Sequence, residues 1–198
     1  DQNATFVDLV ASVPLTIDEW QKQRDIYRTR DESDLLRLGF AFFYLNRTNR
    51  SGILNAGVIG GQRQNGTYRI DARFNRETLI ERLIAIGELS DRIVVTDLDG
   101  RTVIQRNARD SRAFMYIDPP YVRAGTHLYL NAFERRDHTA LAAVVHEVTA
   151  AHWVMTYDMA PLIDNLYRDQ FRCRLDLTYS ARYPGKAEEL LIASPLVA

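Results

Sequence analysis

A single cysteine, Cys173, stands in the 198 residues, so neither a disulfide framework nor a cysteine metal site can be built. That usage fits a reducing, cytoplasmic setting. No apolar run approaches the roughly 18 residues that a membrane span needs. The opening residues, DQNATFVDLV, lack the pattern of a secretory signal. A global basic footprint is missing too, because the formal net charge is -1. Any nucleic-acid surface must therefore be local. There is no internal repeat, no Gly-x-Ser-x-Gly and no Gly-x-x-x-x-Gly-Lys. The glycine-rich run 57–61 (GVIGG) follows no predicted strand, which argues against a phosphate loop there. His146-Glu147 with His152 resembles a zinc helix at a glance. Six residues turn the two histidines about 240° apart around a helix, so they do not share a face, and no metal is expected. What remains is an ordinary globular composition, 46% hydrophobic and 26% charged, of a length that suits one domain or one with a small insertion.

Along the chain, helical and strand patterns alternate. Residues 1–13 read as the tail of a helix. Residues 14–29 read as a helix with Thr16 as its cap and Glu19 three positions later. Residues 34–46 are apolar over more than half the circumference of a strong helix, so this helix is expected to be mostly buried. Residues 75–89 form an amphipathic pattern with Leu79, Leu83, Ile86 and Leu89 inward, and 92–96 (RIVVT) reads as a short buried strand. A connection with helical character at 102–110 follows. The run 113–117 reads as a strand, 122–133 as a polar loop bearing aromatics, and 135–150 as a helix with Leu141, Val144, Val145 and Val148 inward. A strand at 152–156 comes next, then a helix over 159–169 interrupted near Pro161. Strands at 171–179 and 189–194, joined by the loop 180–187, suggest an antiparallel hairpin at a sheet edge. The alternation argues for an α/β fold.

The chain is organised around 113–121, AFMYIDPPY. Its uncharged start reads as a central, buried strand. Pro119 and Pro120 cannot donate to a sheet ladder, so the strand stops before them. Asp118 is thereby set at a strand's carboxyl end, with Tyr121 on a stiffened loop beyond, and in open α/β sheets ligands bind at that edge. The bland alternative is a strand followed by a proline turn.

Residues 46–76 differ in character. Five glycines and several Asn and Gln predict irregular backbone, with a hairpin around Asn65-Gly66. Six arginines (Arg47, Arg50, Arg63, Arg69, Arg73 and Arg76) meet one acid, Asp71, a net of +5 in a chain that totals -1. Arginine suits bidentate contacts with phosphate and guanine. Asn49, Asn55, Gln62, Gln64 and Asn65 add groups that can pair with adenine edges. The alternative is a solvated loop whose arginines pair with the domain's own acids.

Asp118-Pro119-Pro120-Tyr121 after an apolar strand resembles the catalytic loop of N6-adenine DNA methyltransferases. FFYLNRTNRSGI (42–53), then GVIGG, then QNGTYRIDARFN (64–75) resemble the D12 class of these enzymes, the group that includes the Dam-type methylases. DRIVVTDLDG (91–100) resembles the strand and acidic turn that precede the catalytic strand of that class. WVMTYD (153–158) and the segments 178–183 and 189–194 resemble its later strands, so the likeness runs from about residue 14 to 194. It implies a Rossmann-like, S-adenosylmethionine-dependent methyltransferase sheet in a single domain over 1–198. Residues 35–76 would carry a helix and an Arg/Gly-rich DNA-recognition insertion, and 77–198 the catalytic α/β portion. It implies methyl transfer from S-adenosylmethionine to N6 of an adenine flipped out of double-stranded DNA. Asp118 and the Pro119 carbonyl would take the amine hydrogens, Pro120 would stiffen the loop and Tyr121 would stack on the base. Asp99, Leu98 and Asp118 would lie by the methyl donor. Arg47, Asn49, Arg50, Arg63, Arg69 and Arg73 would contact DNA. The class begins with a lysine-bearing segment, a Gly-rich loop and a ribose-binding acid, none of which is in this sequence. The expectation is therefore of a sheet incomplete at its N-terminal side: a fragment, a truncated chain, or one lacking its first part. Its unpaired edges would favour self-association or a complementary N-terminal segment. A second reading is a degenerate methylase domain that binds DNA without catalysis.

Overall fold

A computed structural model describes residues 2–122, 133–179 and 185–197. The chain forms two compact units, Asp1–Val95 and Thr96–Ala198.

The first unit is helical: α1 (Gln2–Ser12), α2 (Ile17–Thr29), α3 (Leu35–Thr48) and α4 (Arg76–Glu88). Thr16 caps α2 by accepting from the Glu19 amide at 3.2 Å, as its spacing predicts. Asp34 and Asn75 cap α3 and α4 in the same way. The core gathers Val10, Trp20, Phe40, Tyr44, Leu45, Val58, Ile70, Phe74 and Leu79. Helix α3 is less buried than its composition suggests. Phe40, Ala41, Tyr44 and Leu45 face the core, whereas Leu35 and Phe42 are exposed. Helix α4 likewise turns Leu79, Ile80 and Leu83 inward and leaves Ile86 and Leu89 exposed. Residues 49–75 are a chain of turns held by one isolated bridge, Asn49 to Val58. The hairpin expected at Asn65-Gly66 does not form. Gly60, at φ +81°, instead brings the Tyr68 carbonyl to 2.7 Å from where a Cβ would sit. Only glycine tolerates both that backbone conformation and that approach.

The predicted strand at 92–96 does not form either. Residues 93–99 carry no strand, and Val94 and Val95 are 86% and 88% exposed. A buried parallel strand needs a ladder neighbour on at least one side, and among the described residues none lies beside this segment.

The second unit is a mixed α/β layer. It runs α5 (Gly100–Asn107), β1 (Phe114–Ile117), α6 (Arg135–His146), β2 (His152–Asp158), α7 (Pro161–Leu166), β3 (Phe171–Tyr179) and β4 (Gly185–Ala193). The open sheet has the order β1-β2-β4-β3. β1 and β2 are parallel, with Met115 opposite Trp153, and α6 lies in the long connection that parallel pairing requires. β4 is antiparallel to both β2 and β3. The terminal strands are thus the expected antiparallel pair, although β4 lies inside the sheet and β3 at its edge. The helix at 159–169 is not interrupted by Pro161 but begins there. Proline at the first helical position forfeits no intrahelical bond. The loop expected at 122–133 falls almost wholly outside the described residues, as does most of the link between β3 and β4.

One sheet face carries Met115, Ile117, Trp153, Met155, Tyr157, Leu190 and Ile192, which pack with Ile104, Leu141, Val145 and Ile163. On the other face Phe114 and Tyr116 are exposed. β1, expected to be central and buried, is an edge strand of the described sheet with alternating burial.

Candidate functional site

β1 and β2 are parallel, so their carboxyl ends lie on one edge of the sheet. β1 ends at Ile117, and Asp118 follows as an exposed carboxylate with Pro119 buried behind it. On β2, Thr156 and Asp158 share the face opposite the core. Asp158 ends that strand and stands across from Glu189 of β4. Asp118 and Asp158 therefore lie at the same end of the parallel pair, and Glu189, midway along β4, stands beside Asp158.

Hydrogen bonds set their order. The Thr156 hydroxyl donates to Asp118 Oδ1 at 3.3 Å, and Tyr116 Oη lies 3.1 Å from Thr156 Oγ1. The Val122 amide donates to Asp158 Oδ1 at 2.8 Å, pinning the chain just beyond Tyr121. The Tyr121 hydroxyl reaches Glu189 and Thr156. Burial, then the Glu189 carboxylate, hold its pKa above the ordinary phenol value. The Tyr121 ring packs 6.4 Å from that of Tyr157. Beneath it, Tyr157 Oη bonds His138 Nδ1 at 2.9 Å. Burial raises the Tyr157 pKa and lowers that of His138. Among the described residues no three His, Cys, Asp or Glu side chains could hold a metal ion.

Asp118, Pro119, Pro120 and Tyr121 are thus gathered at this edge as the motif predicts. Asp99 has a different surrounding. It caps α5 through the Arg101 amide at 2.8 Å, and both its oxygens meet the Arg101 guanidinium, at 3.0 and 2.7 Å. Those bonds draw its carboxyl down to about 2. Leu98 beside it is exposed. Thr156, Tyr116 and Glu189 escaped sequence reasoning. For Tyr116 and Thr156 the available signal was position, since each lies within two residues of the carboxyl end of its strand; Glu189, midway along β4, gave no such signal.

In the first unit the arginines divide. Arg76 donates to the carbonyls of Val10, Ala11 and Val13 and so closes the end of α1. Asn49 is fully buried. It accepts from Trp20 Nε1 at 2.7 Å and donates to the Ile53 and Leu54 carbonyls at 3.0 and 2.8 Å. Both amide hydrogens are used and the side chain has no exposed surface, so Asn49 holds these turns together rather than standing open to a base edge. Gln64 is similarly committed to Ile59, Gly61 and Ile70. Arg47, Arg50, Arg63, Arg69 and Arg73 differ. The ion pairs among the described residues are Lys22–Glu19, Arg101–Asp99, Arg112–Asp110, Arg136–Glu134 and Arg172–Asp164. Among the described residues none of those five arginines has a carboxylate partner. Arg47, held by Asn46 Oδ1 at 3.0 and 2.5 Å, has its pKa lowered by burial and then by Arg73 and Arg82. Arg50 crosses Gly57 so closely that a Cβ there would lie 2.9 Å from its guanidinium. Self-pairing with the domain's own acids therefore does not account for this charge.

A family model described as D12 class N6 adenine-specific DNA methyltransferase matches residues 4–180. No curated protein matches the chain.

Proposed function

Because the chain belongs to the D12 class of N6 adenine-specific DNA methyltransferases, we propose that it methylates N6 of an adenine flipped from duplex DNA, with S-adenosylmethionine as donor. The observation that carries this reading is the exposed Asp118 carboxylate at the carboxyl end of β1, anchored by one oxygen to Thr156 and followed by Pro119-Pro120-Tyr121. An exocyclic amine is a weak nucleophile because its lone pair is delocalised into the ring. Asp118 and the Pro119 carbonyl accept hydrogen bonds from its two N–H groups and so orient the lone pair; as the N–C bond forms and the methyl–sulfur bond breaks, S-adenosylhomocysteine leaves and one amine proton is lost by way of Asp118. Positioning and electrostatics then carry the rate, with no covalent enzyme intermediate. Tyr121 offers a ring face to the extruded base.

S-adenosylmethionine supplies an electrophilic methyl group on a sulfonium centre. Asp118 and Leu98 fit a neighbouring role, being an exposed carboxylate and an exposed apolar side chain. Asp99 fits less well, because Arg101 occupies both its oxygens. Arg47, Arg50, Arg63, Arg69 and Arg73, which have no carboxylate partner among the described residues, hold DNA phosphates and read bases.

In this reading the sheet is part of a Rossmann-like methyltransferase sheet, and the two units serve one methyltransferase domain. Segment 93–96 and the free edge of β1 take strands from a complementary segment or a second copy. The position of β1 at the edge of the described sheet and the exposed Val94 and Val95 support that pairing. No described helix is long and apolar enough to cross a membrane, and a cytoplasmic setting suits an enzyme acting on DNA.

The test is incorporation of labelled methyl groups into unmethylated duplex DNA by the complete protein. Incorporation that Asp118→Ala abolishes supports the reading. Salt-dependent DNA binding without incorporation would favour a DNA-binding methylase relic instead.

A further inference from the structure

Thr156 stands at the centre of the polar network around Asp118, and its single proton decides how that network is wired. A carboxylate can only accept, so in the 3.3 Å contact Thr156 Oγ1 is the donor and Asp118 Oδ1 the acceptor. When its proton is on Asp118, Thr156 Oγ1 accepts from Tyr116, whose hydroxyl is 3.1 Å away. Hydrogen bonds thus link Tyr116 to Thr156 and Thr156 to Asp118, with the Tyr121 hydroxyl also in reach of Thr156. Tyr116 lies two residues before Asp118 on β1, and Thr156 lies on the adjacent strand with 7% exposure. The donor is thus mounted on a paired strand, whereas the acceptor hangs on the loop just past its strand's end. Among the described residues Asp118 Oδ2 has no hydrogen-bond partner.

We propose that Thr156, oriented by Tyr116, is a positioning residue that fixes the Asp118 carboxylate by Oδ1 and leaves Oδ2 aimed at the substrate amine. The inference rests on the methyltransferase reading above. A carboxylate on a strand-end loop otherwise rotates about χ1 and χ2, and each extra rotamer dilutes the reactive one. Pinning one oxygen removes that freedom without neutralising the charge. Threonine suits the task because its β-branch restricts χ1, so its hydroxyl does not wander. Valine has nearly the same shape and no hydroxyl, which makes Thr156→Val a test of the hydrogen bond. Serine keeps the hydroxyl.

The experiment uses the complete protein with unmethylated duplex DNA. Thr156→Val is expected to lower kcat by about 10- to 100-fold, the scale of a small misplacement of a reacting group. KM for DNA should stay within about twofold and the melting temperature should hold. Thr156→Ser should recover most of the rate. Tyr116→Phe should cost less, and its effect should vanish in the Thr156→Val background, since both act through one bond. A second readout needs no turnover: the Hα–Hβ couplings of Asp118 should report one χ1 rotamer in the wild type and Thr156→Ser, and averaging in Thr156→Val. If Asp118→Ala abolishes transfer while Thr156→Val leaves kcat and the couplings unchanged, the positioning role is wrong and the methyltransferase reading survives. A rate loss that follows only a lowered melting temperature, with no rescue by serine, also overturns it. Absence of transfer by the wild-type protein overturns the reading beneath it.

Discussion

Replacing Asn49 by alanine separates a scaffold residue from a DNA contact. The side chain has no exposed surface and satisfies three groups at once. Its loss strands the indole N–H of Trp20, which is 1% exposed. A buried donor left unpaired costs about 1–3 kcal/mol. The Ile53 and Leu54 carbonyls lie in turns that water can reach in part, so each adds about 0.5 kcal/mol, at the low end of a hydrogen bond's net worth. The total is about 3 kcal/mol, a large share of the 5–15 kcal/mol that holds a typical domain folded. With a urea m-value of about 1–3 kcal/mol/M, the midpoint should fall by about 1–3 M. Urea denaturation followed by tryptophan fluorescence suits the measurement, since Trp20 is itself a reporter. In a Trp20→Phe background, followed by circular dichroism because the reporter is gone, the same substitution should cost about 1–3 kcal/mol less, since there is no donor to strand. DNA affinity, measured well below the new midpoint, should barely change. A variant that keeps its midpoint and loses DNA affinity would refute the reasoning and return Asn49 to the base-reading set.

Two further outcomes follow from charge and burial. Arg63→Ala and Arg69→Ala together should leave the melting temperature unchanged, since both are exposed and without carboxylate partners. They should lower the slope of log affinity for duplex DNA against log salt by about 2, and an unchanged slope would remove them from the interface. His138 is 1% exposed, and burial lowers its pKa in the folded state. As pH falls below the unfolded value of about 6.5, the unfolded chain takes up a proton that the folded chain refuses, so stability drops; above it the effect is absent. Melting curves between pH 7.5 and 5 should show this slope in the wild type and a flatter one in His138→Gln. An equal slope in both would place the titration elsewhere.

Much of the fold was legible in local chemistry. Thr16 and Glu19 announce the start of α2, and the apolar stripe 141–145 announces the buried face of α6. Asp118-Pro119-Pro120 marks the end of β1, because proline cannot continue a ladder. The same local logic failed at 92–96. Apolar, β-branched residues there met the pattern of a buried strand, yet burial depends on neighbours that lie outside any sequence window. It failed again at Pro161, where a helix breaker turned out to be a helix starter.

The candidate site divides along the same line. By itself, the sequence determined the residue types and their order: an acid, two prolines and an aromatic after an apolar strand, and a run of arginines short of acids. Those are one-dimensional facts, set by spacing and composition. Which polar groups remain available was decided only by tertiary structure. Asn49, Gln64 and Arg76 look as free as Arg63 on the page, but each is drawn inward because a buried backbone group must find a partner. Thr156 reads as one more β-branched residue in a strand. It becomes the neighbour of Asp118 only because β1 and β2 pair in parallel, which brings residues 38 positions apart to one sheet edge.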